Sequence, residues 1–464
     1  MADTQSFDLI VIGSGPGGYR SAVLATLRGL TVAIIEKAEW GGCCLNRGCV
    51  PKKDWHHTAQ LIAHSQHYGK RGINGELSAD LQVAWQHQHD VVKTVRDSYT
   101  DYMKRLGISA FNGTAQFIDA HTVAIDAIQI NAKHIIIATG SSPFVPPDYP
   151  LSPGRIITTD DLFNQPPPPG KRIAIVGSGV IGTEFAFILK QMGCEVIWLS
   201  SNRPLANSQF SAPALKILYS SLQQLAITNH PRAQAVEVLT DGVKLRFAEG
   251  DSILVDWVLL GSGRRPHTAA LHPEAAGVVL DDNGFIRVNA YLQTTTSHIY
   301  AIGDVANPRM TANQALADAS IAISNIINPQ SRRQTAAAVP ELVYSAIELG
   351  RIGINEDEAE DAEFEPAVGF AAFDSNPRAL GQDDSDGFVR LIADMDSGAL
   401  LGAEVVGSEA GEIIHSIAQQ FGHIDALARL AGTFYNHPAR TEEIQNATET
   451  LAAKWGLSQQ VFGP

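Results

Sequence analysis

Cysteine is scarce in this chain of 464 residues, which contains only four. A secreted scaffold held together by disulfides would spread its thiols evenly, whereas here Cys43, Cys44 and Cys49 cluster and Cys194 stands alone. The scarcity and the clustering together argue against that class of protein. We therefore expect a reducing, cytoplasmic compartment.

Long apolar runs and a surplus of basic residues are also lacking. No apolar run reaches the roughly 20 residues that a membrane-spanning helix needs. The short polar start, Met1–Phe7, has no features of a secretory leader. The chain has 34 basic and 49 acidic residues, which gives a net charge of −15. Because phosphate binding needs a basic surface, this charge argues against a nucleic acid as partner. The lack of long apolar runs argues against a membrane as partner.

A complete dinucleotide-binding pattern is present near the start of the chain. The apolar segment Asp8–Ile12 has the length of a strand, a helical pattern follows it, and a second strand, Thr31–Ile35, leads to Glu36. Between strand and helix lie three glycines with Gly-x-Gly-x-x-Gly spacing, which are Gly13, Gly15 and Gly18. They permit in turn a tight turn, a close approach to pyrophosphate at the helix N-terminus, and close packing of helix and strand. A carboxylate at Glu36 can bind ribose hydroxyls.

The same pattern recurs and predicts a second dinucleotide site. Its strand is Lys171–Val176, and a further strand is Glu195–Leu199. The glycines of its turn are Gly177, Gly179 and Gly182. The tip of the later strand carries small polar residues and Arg203 but no carboxylate. Because an acid there favours a free 2′-hydroxyl and an arginine accommodates a 2′-phosphate, we favour NADP over NAD. The alternative is that Arg203 points into solvent.

Two thiols, Cys44 and Cys49, follow the first glycine pattern at a spacing of five. A dithiol close to a nucleotide cofactor can become a disulfide by giving up two electrons, which is redox chemistry. The alternative is a pair of buried structural thiols, because free cysteine usually packs as a small hydrophobe. The glycines Gly41 and Gly42, Pro51 and the upstream dinucleotide pattern favour the redox interpretation.

Composition and boundary signals predict several domains. Hydrophobic residues make up 45% and charged residues 18% of the chain, which is typical of a well-packed enzyme. Four consecutive prolines, Pro166 to Pro169, form a stiff connector before the second nucleotide-binding strand. Two strands that end at the turns of Gly140 and Gly263 look like returns from the second nucleotide-binding unit to the first. After about residue 340 no glycine pattern is present, and we predict an α+β domain.

These motifs resemble those of the flavin-dependent pyridine nucleotide-disulfide oxidoreductases, from Asp8 to about Ala447. The shared elements also include the Gly-Arg-Arg-Pro return at Gly263, the Ala-Ile-Gly-Asp segment ending at Asp304, and a His-Pro element at His437. The resemblance implies an α/β fold with two Rossmann-like dinucleotide-binding domains and a C-terminal α+β dimerisation domain. The implied domains are FAD-binding at 1–150 and 266–335, NAD(P)-binding at 151–265 and dimerisation at 336–464.

The resemblance also implies catalytic roles. Cys44 would be the interchange thiol, and Cys49 would lie against the flavin and form a charge-transfer complex. Lys53, or its neighbour Lys52, would lie near the flavin and pair with Glu184. The residues implied to contact FAD or NAD(P) are Gly13, Gly15, Gly18, Glu36, Lys53, Gly140, Asp304, Gly177, Gly179, Gly182, Arg203 and Gly263. Of these, Asp304 would bind the ribityl chain of the flavin, and no metal ligand is implied.

His437 is implied to be the acid-base catalyst, positioned by Glu442 and donated by the other subunit of a homodimer. The chemistry agrees, because thiol-disulfide exchange needs a group that moves a proton near neutral pH, and a carboxylate partner fixes the tautomer of a histidine. The alternatives are an ordinary histidine at 437, solvated lysines at 52 and 53, and an exposed helix residue at Glu184. We expect Cys194 to be a core residue.

The chain departs from the family pattern in the redox loop and near the C-terminus. Cys43 stands where the family usually has threonine, and we consider a bystander first, then a metal-sensitive site or a route to inactivation. Arg47 and Arg440 are basic where relatives are not, close to the implied substrate mouth. Two arginines there predict selection of an acidic or unusual disulfide.

The sequence therefore predicts a homodimeric FAD enzyme that moves two electrons between NAD(P)(H) and a dithiol or disulfide. We place first a substrate like that of dihydrolipoamide dehydrogenase, carried on a lipoyl protein. An NADPH-dependent reductase of a small disulfide such as glutathione disulfide comes second, with a role in cell redox homeostasis. No cysteine follows Cys194, which argues against relatives with a C-terminal redox pair. A redox-sensing flavoprotein without turnover is the alternative of another class.

Overall fold

A computed structural model describes residues 5–227, 229–248, 250–335 and 338–463. The predicted domain limits at residues 1, 336 and 464, and most of the predicted leaderless start Met1–Phe7, lie outside these ranges. Within the described residues, no helix is both long and apolar enough to pass through a membrane.

Strands occur throughout the chain. In chain order they are β1 (Gln5–Ile12), β2 (Val32–Glu36), β3 (Ser109–Asn112), β4 (Ala115–Phe117), β5 (Thr122–Ile125), β6 (Ile128–Ile137), β7 (Ser141–Pro143), β8 (Ile156–Thr158), β9 (Arg172–Val176), β10 (Glu195–Leu199), β11 (Asn229–His230), β12 (Ala235–Val238), β13 (Val243–Arg246), β14 (Ser252–Val255), β15 (Trp257–Leu260), β16 (Arg264–Pro266), β17 (Ile299–Ala301), β18 (Glu341–Tyr344), β19 (Glu348–Gly353), β20 (Pro366–Ala372), β21 (Phe388–Asp394) and β22 (Leu400–Val406).

Helices alternate with these strands. In chain order they are α1 (Pro16–Thr26), α2 (Gly42–Arg47), α3 (Cys49–Ser65), α4 (Leu81–Arg105), α5 (Thr159–Asn164), α6 (Val180–Gln191), α7 (Ala212–Gln224), α8 (Ala312–Ile327), α9 (Glu356–Asp361), α10 (Pro377–Gly381), α11 (Ala410–Ala418), α12 (Ala426–Ala431), α13 (Glu442–Trp455) and α14 (Ser458–Phe462).

The described residues form two compact units. The first extends to Gln60 and includes Ser78–Gly177 and Arg232–Gln334. The second contains Leu61–Leu77, Ser178–Pro231 and the chain from Thr335 onwards. The predicted division into three domains, with the FAD-binding domain formed by two segments, stays a prediction.

The largest sheet of the first unit has seven strands, in the order β3-β2-β1-β6-β5-β4, and β17 also pairs with β6. Strands β2, β1, β6 and β17 are parallel. Leu9 and Val11 of β1 pack on one face with residues of α1 and α8, and Ile10 and Ile12 pack on the other. Parallel strands covered on both faces read as continuous apolar runs, which explains the pattern of this segment. Its carboxyl edge, where the strand order reverses around β1, is where such sheets bind nucleotides.

Smaller sheets of the first unit bring two predicted turns together. Strands β9, β15 and β8 are parallel, and β12, β13 and β14 are antiparallel. Strand β16 pairs antiparallel with β7, so that Arg264 lies opposite Pro143. The N–H of His267 donates to the carbonyl of Gly140 at 2.9 Å, and the N–H of Phe144 donates to the carbonyl of Gly263 at 2.8 Å. The two predicted returns therefore run side by side.

The second unit contains an antiparallel sheet with the order β18-β19-β22-β21-β20. Helices α11 and α13 supply Ile413, Ile414, Ala447 and Leu451 to the core that also contains residues of this sheet. The predicted strand 401–406 corresponds to β22, and the predicted helix 412–421 overlaps α11. The prediction of an α+β domain after about residue 340 is confirmed.

Candidate active site

A short helix, α2, carries Cys43 and Cys44, and Cys44 is the first cysteine of the predicted redox pair. The helix begins after Gly41, whose φ of 95° favours glycine, and it ends at Arg47; Gly48 then separates it from α3, which begins at Cys49. Cys44 and Cys49 form a disulfide whose Cα atoms are 4.7 Å apart, within the normal range. The two thiols are therefore bonded to each other, which fits a redox-active pair.

The turn after β1 is shaped by backbone contacts that only glycine tolerates. A Cβ added to Gly13, where φ is +101°, would lie 2.3 Å from the carbonyl oxygen of Ala138. A Cβ on Gly18 would lie 1.9 Å from the carbonyl oxygen of Gly13, so α1 approaches β1 closely. Gly15, at the start of α1, has no protein atom within 4 Å of the same position. The three glycines thus have the turning, packing and open positions that the pattern predicts.

The N-terminus of α1 fits a pyrophosphate. Its first residue is Pro16, no side chain caps it, and no acidic residue lies in its first turn. Glu36, at the end of β2, is buried and accepts hydrogen bonds from Ser14 N (2.9 Å), Ser14 Oγ (2.7 Å) and Ala38 N (2.9 Å). An ionised carboxylate accepts about four hydrogen bonds, so Glu36 retains capacity for a ribose hydroxyl. These residues fit the adenosine and diphosphate of a dinucleotide such as FAD.

The redox helix and this turn are in direct backbone proximity. A Cβ on Gly42, the first residue of α2, would lie 2.7 Å from the Cα of Gly15. Lys52 and Lys53, which are half-buried, follow the disulfide in α3. Asp304 follows β17, and its Oδ2 accepts a hydrogen bond from Ser141 Oγ at 2.5 Å. The first unit therefore gathers the disulfide, the glycine turn and the predicted ribityl-binding carboxylate, each at a residue that the sequence singled out.

The second glycine pattern repeats the geometry of the first. A Cβ on Gly177, where φ is +118°, would lie 2.3 Å from the carbonyl oxygen of Gly261, whereas Gly179 has open space. Gly179 precedes α6, whose first turn has no acidic residue and no capping side chain, and Gly182 is buried within that helix. This arrangement fits a second dinucleotide phosphate.

Glu184 is buried in α6, so it is not the exposed helix residue considered as an alternative. Its Oε1 accepts a hydrogen bond from the N–H of Tyr344 at 2.8 Å. Burial, and then the nearby carboxylates of Glu348, Glu184 and Glu412, raise the pKa of Tyr344 to about 12. Glu184 is therefore a structural anchor of its unit whatever its catalytic role.

Arg203 lies at the exposed tip that follows β10. Its guanidinium carbon is 5.8 Å from the centre of the Tyr219 ring, and Tyr219 Oη donates to the carbonyl of Pro204 at 2.8 Å. Ser200, where a carboxylate would select NAD, is buried and hydrogen-bonds Asn229 Oδ1 at 3.0 Å. The guanidinium is thus exposed beside an aromatic ring and available to an anionic ligand.

His437 and Glu442 form a hydrogen-bonded pair at 2.8 Å between Nδ1 and Oε1. Glu442 Oε2 accepts from the N–H of Ala439 at 2.7 Å. The Ala439 N–H and then His437 hold the pKa of Glu442 below its ordinary value. Because the carboxylate accepts at Nδ1, the ring nitrogen Nε2 is the one that can exchange a proton. The imidazole is 75% exposed, so it is not an ordinary core histidine.

The expectation that Arg47 and Arg440 select an acidic disulfide is wrong for Arg440. Its side chain is 1% exposed, and Nη2 pairs with Asp384 Oδ2 at 2.9 Å. Arg47 is also neutralised, because its Nη1 pairs with Glu39 Oε2 at 2.6 Å and its Nε lies 3.5 Å from Asp160 Oδ2. Both arginines therefore form ion pairs within the protein. Sequence spacing could not show this, because the partners Asp384 and Asp160 are distant in the chain.

Two residues of the site were not singled out from the sequence. Arg264 was recognised only as part of a Gly-Arg-Arg-Pro segment, yet its side chain contacts Cys43 and Ser141. Asp160 lies in the first turn of α5, close to both Arg47 and Arg264. No local signal marks either residue, because their partners lie far along the chain. Among the described residues, no group of three or more His, Cys, Asp or Glu side chains could hold a metal ion.

The sequence matches the pyridine nucleotide-disulphide oxidoreductase family over residues 7–320 and the dimerisation domain of that family over residues 339–448. The chain therefore belongs to the pyridine nucleotide-disulphide oxidoreductases. This family consists of FAD- and NAD(P)-dependent enzymes that act on sulfur groups. The glycine turns, the two uncapped helix N-termini and Glu36 fit the two cofactors. When bound, FAD supplies two-electron transfer between the nicotinamide and the disulfide.

Similar proteins match nearly the whole length of the chain. The dihydrolipoyl dehydrogenase of Thermus scotoductus is 32% identical over 455 residues, 96% of this chain and 98% of that protein. The dihydrolipoyl dehydrogenase of Staphylococcus aureus is 31% identical over 453 residues, 95% of this chain and 96% of that protein.

Solved structures show the same fold. The copper(II) complex of the HOCl-induced flavoprotein disulfide reductase RclA from Escherichia coli has a TM-score of 0.82 and 26% identity, and covers 96% of this chain and 99% of that chain. LpdA from Mycobacterium tuberculosis has a TM-score of 0.89 and 22% identity, and covers 97% of this chain and 100% of that chain. At the lower identity the likeness concerns the fold alone.

Two alanine substitutions in the first glycine turn separate packing from cofactor binding. Gly18→Ala pushes a methyl group into the Gly13 carbonyl, so we expect the protein without FAD to lose roughly 1–3 kcal/mol of unfolding free energy. Gly15→Ala meets no protein atom, so its stability without FAD should change by less than about 1 kcal/mol. Gly15→Ala should nevertheless purify with little FAD, because its methyl group occupies the approach of the diphosphate. Denaturant unfolding and flavin absorbance measure the two effects, and a Gly15→Ala protein that retains full FAD would contradict this account.

Proposed function

We propose that this enzyme oxidises a dihydrolipoyl group carried on a protein and passes the two electrons to a pyridine nucleotide. The observation that carries the proposal is the Cys44–Cys49 disulfide within a chain that matches dihydrolipoyl dehydrogenases over nearly its whole length. The proposed enzyme is a homodimer, which the dimerisation domain at residues 339–448 supports.

The proposed exchange balances at the sulfur atoms. A substrate thiolate attacks Cys44 Sγ, which breaks the Cys44–Cys49 bond and leaves Cys49 as a thiolate. The second substrate thiol then attacks the sulfur of its own mixed disulfide, which closes the substrate disulfide and releases Cys44 as a thiol. The two electrons now reside on the enzyme dithiol. Each attack needs a thiolate, so a base must remove the protons of the substrate.

His437 is proposed as that base, and Glu442 as the residue that orients it. Glu442 accepts from Nδ1, and its lowered pKa keeps it ionised throughout the neutral range. A fixed anion at Nδ1 stabilises the imidazolium that forms when Nε2 takes a proton. The exposure of His437 in one chain supports its donation to the thiols of the other subunit. A pairing of Lys53 with Glu184 near the flavin stays a prediction.

The proposed nucleotide is NADP(H). The end of β10 offers Ser200, Ser201 and Asn202 in place of a carboxylate, followed by the exposed guanidinium of Arg203. A 2′-phosphate would find the Arg203 cation and the exposed hydroxyl of Ser201 there, whereas the free 2′-hydroxyl of NAD would lack an acceptor carboxylate. This feature favours a second candidate, an NADPH-dependent reductase of a small disulfide such as glutathione disulfide. Loss of turnover with retained redox sensing is the remaining alternative.

The role of the His437–Glu442 pair is tested by substitution. We expect His437→Gln to lower turnover by roughly 10²–10⁴, because general base catalysis contributes that much. Reduction of the enzyme by the nicotinamide should continue, since that step does not use the imidazole. His423→Gln, which changes another exposed histidine of the same unit, is the control. Stopped-flow and steady-state rates measure both steps, and a His437→Gln enzyme within twofold of wild type would remove the histidine from the mechanism.

Steady-state turnover of the FAD-loaded protein tests the substrate and the nucleotide. Dihydrolipoamide with NADP⁺ or NAD⁺ is compared with oxidised glutathione and NADPH or NADH. We expect rapid dihydrolipoamide oxidation with NADP⁺ preferred, and a loss of that preference of about tenfold or more in Arg203→Ala, because a phosphate contact with an arginine is charge-assisted. Lys216→Ala removes a cation elsewhere in the same unit and should not change the preference. Activity only with glutathione disulfide would replace the first proposal by the second candidate.

A further inference from the structure

Cys43, which stands beside the disulfide, is hydrogen-bonded to a charged residue. Arg264 Nη2 donates to Cys43 Sγ at 3.4 Å. Burial raises the pKa of the Cys43 thiol, and Arg264 only partly opposes this effect. Cys43 is therefore a neutral thiol that acts as an acceptor, which a hydroxyl at this position could also do. The contact gives this departure from the family pattern a physical role.

Arg264 extends the contact to the predicted flavin-binding carboxylate. Its Nε donates to Ser141 Oγ at 2.7 Å and its Nη2 donates to Ser141 O at 2.8 Å. Ser141 Oγ in turn donates to Asp304 Oδ2 at 2.5 Å. One hydrogen-bonded series thus links Cys43, Arg264, Ser141 and Asp304. Pairing of β16 with β7 fixes the backbone of both Arg264 and Ser141.

The charges around Arg264 are shared with the other end of the redox helix. Arg264 Nη1 lies 4.0 Å from Asp160 Oδ1, and Arg264 Nε lies 4.0 Å from Asp304 Oδ2. Asp160 Oδ2 lies 3.5 Å from the Nε of Arg47, the last residue of α2. Burial raises the pKa of Asp160, and Arg264 and Arg47 oppose the rise. The first turn and the last residue of α2 are therefore both tied to this cluster of charges.

Helix α2 depends on such lateral contacts. It has only six residues, and no side chain caps its N-terminus at Gly41. Helices this short are not stable by themselves and take their position from tertiary contacts. Displacement of α2 would move Cys44, which follows Cys43 directly in the chain. Arg264 is thus placed to control where the first redox sulfur lies.

We propose that Arg264 is a positioning residue that holds the redox helix, through Cys43, to the Ser141–Asp304 side of the cofactor site. The inference rests on the proposed roles of Cys44 and Asp304. The guanidinium also places a positive charge beside the helix, and positive charge favours thiolate over thiol. Without Arg264, the carboxylates of Asp160 and Asp304 lose a counter-charge, and the reduced dithiol loses stability relative to the disulfide.

The test is the reduction equilibrium of the Cys44–Cys49 pair in the FAD-loaded enzyme. The protein is equilibrated in dithiothreitol buffers of defined ratio, alkylated, and analysed by peptide mass spectrometry. We expect Arg264→Met to lower the ratio of dithiol to disulfide by tenfold or more, which corresponds to about 30 mV. Cys43→Ala should shift the ratio in the same direction by less, whereas Cys43→Ser should match wild type because its hydroxyl accepts the same N–H.

The controls separate position from charge. Arg265→Met removes the same charge one residue further on, where the guanidinium lies 4.3 Å from the Phe144 ring centre, and should leave the ratio unchanged. The double variant Arg264→Met/Cys43→Ala should equal Arg264→Met, because residues of one series are not additive. A ratio within twofold of wild type in Arg264→Met, or an equal shift in Arg265→Met, would overturn the inference.

Two further outcomes keep the test decisive. Where Arg264→Met does not retain FAD, the pair Cys43→Ala and Cys43→Ser carries the comparison, and equal ratios in those two variants would also overturn the inference. A wild-type pair that does not exchange with dithiothreitol would contradict the proposed function itself. A pair that exchanges but is indifferent to Arg264 and Cys43 would contradict only the positioning role.

Discussion

The backbone approach between Gly42 and Gly15 is the constraint on which the site depends. A Cβ on Gly42 would lie 2.7 Å from the Cα of Gly15, so position 42 has no room for a side chain at this crossing. The crossing places the first turn of the redox helix against the turn that fits the cofactor diphosphate. The Cys44–Cys49 disulfide follows within the same short segment, and its distance from the dinucleotide turn is therefore fixed by backbone and not by flexible side chains.

Contacts with charged residues also hold the redox helix α2 in place. The redox helix is bound at its first turn through Cys43 and at its end through Arg47, and both contacts lead to Asp160 and Arg264. Alternating charges keep this half-buried cluster close to neutral, which limits the cost of desolvating each member. The same arrangement places the Arg264 guanidinium on Cys43, which directly precedes Cys44, and its proposed effect is to favour reduction to the dithiol.

Much of this account could be predicted from the sequence, because its signals are local. The segment Glu195–Leu199 is β10 as predicted, and the glycine turns occupy the predicted positions after β1 and β9. Contacts between residues that are distant in the sequence could not be predicted. Asp384 lies 56 residues before Arg440 and makes that arginine structural, which the charge pattern had assigned to the substrate mouth. Arg264 lies 221 residues from Cys43, so no spacing rule could join them.

The central claim is that the Cys44–Cys49 pair exchanges two electrons with a pyridine nucleotide. The most direct measurement is anaerobic addition of NADPH or NADH to the FAD-loaded protein, followed by alkylation and peptide mass spectrometry. The account predicts that the nicotinamide exposes Cys44 and Cys49 to labelling when FAD is bound, and leaves them unlabelled when FAD is removed. Labelling by dithiothreitol but not by either nicotinamide would contradict the claim.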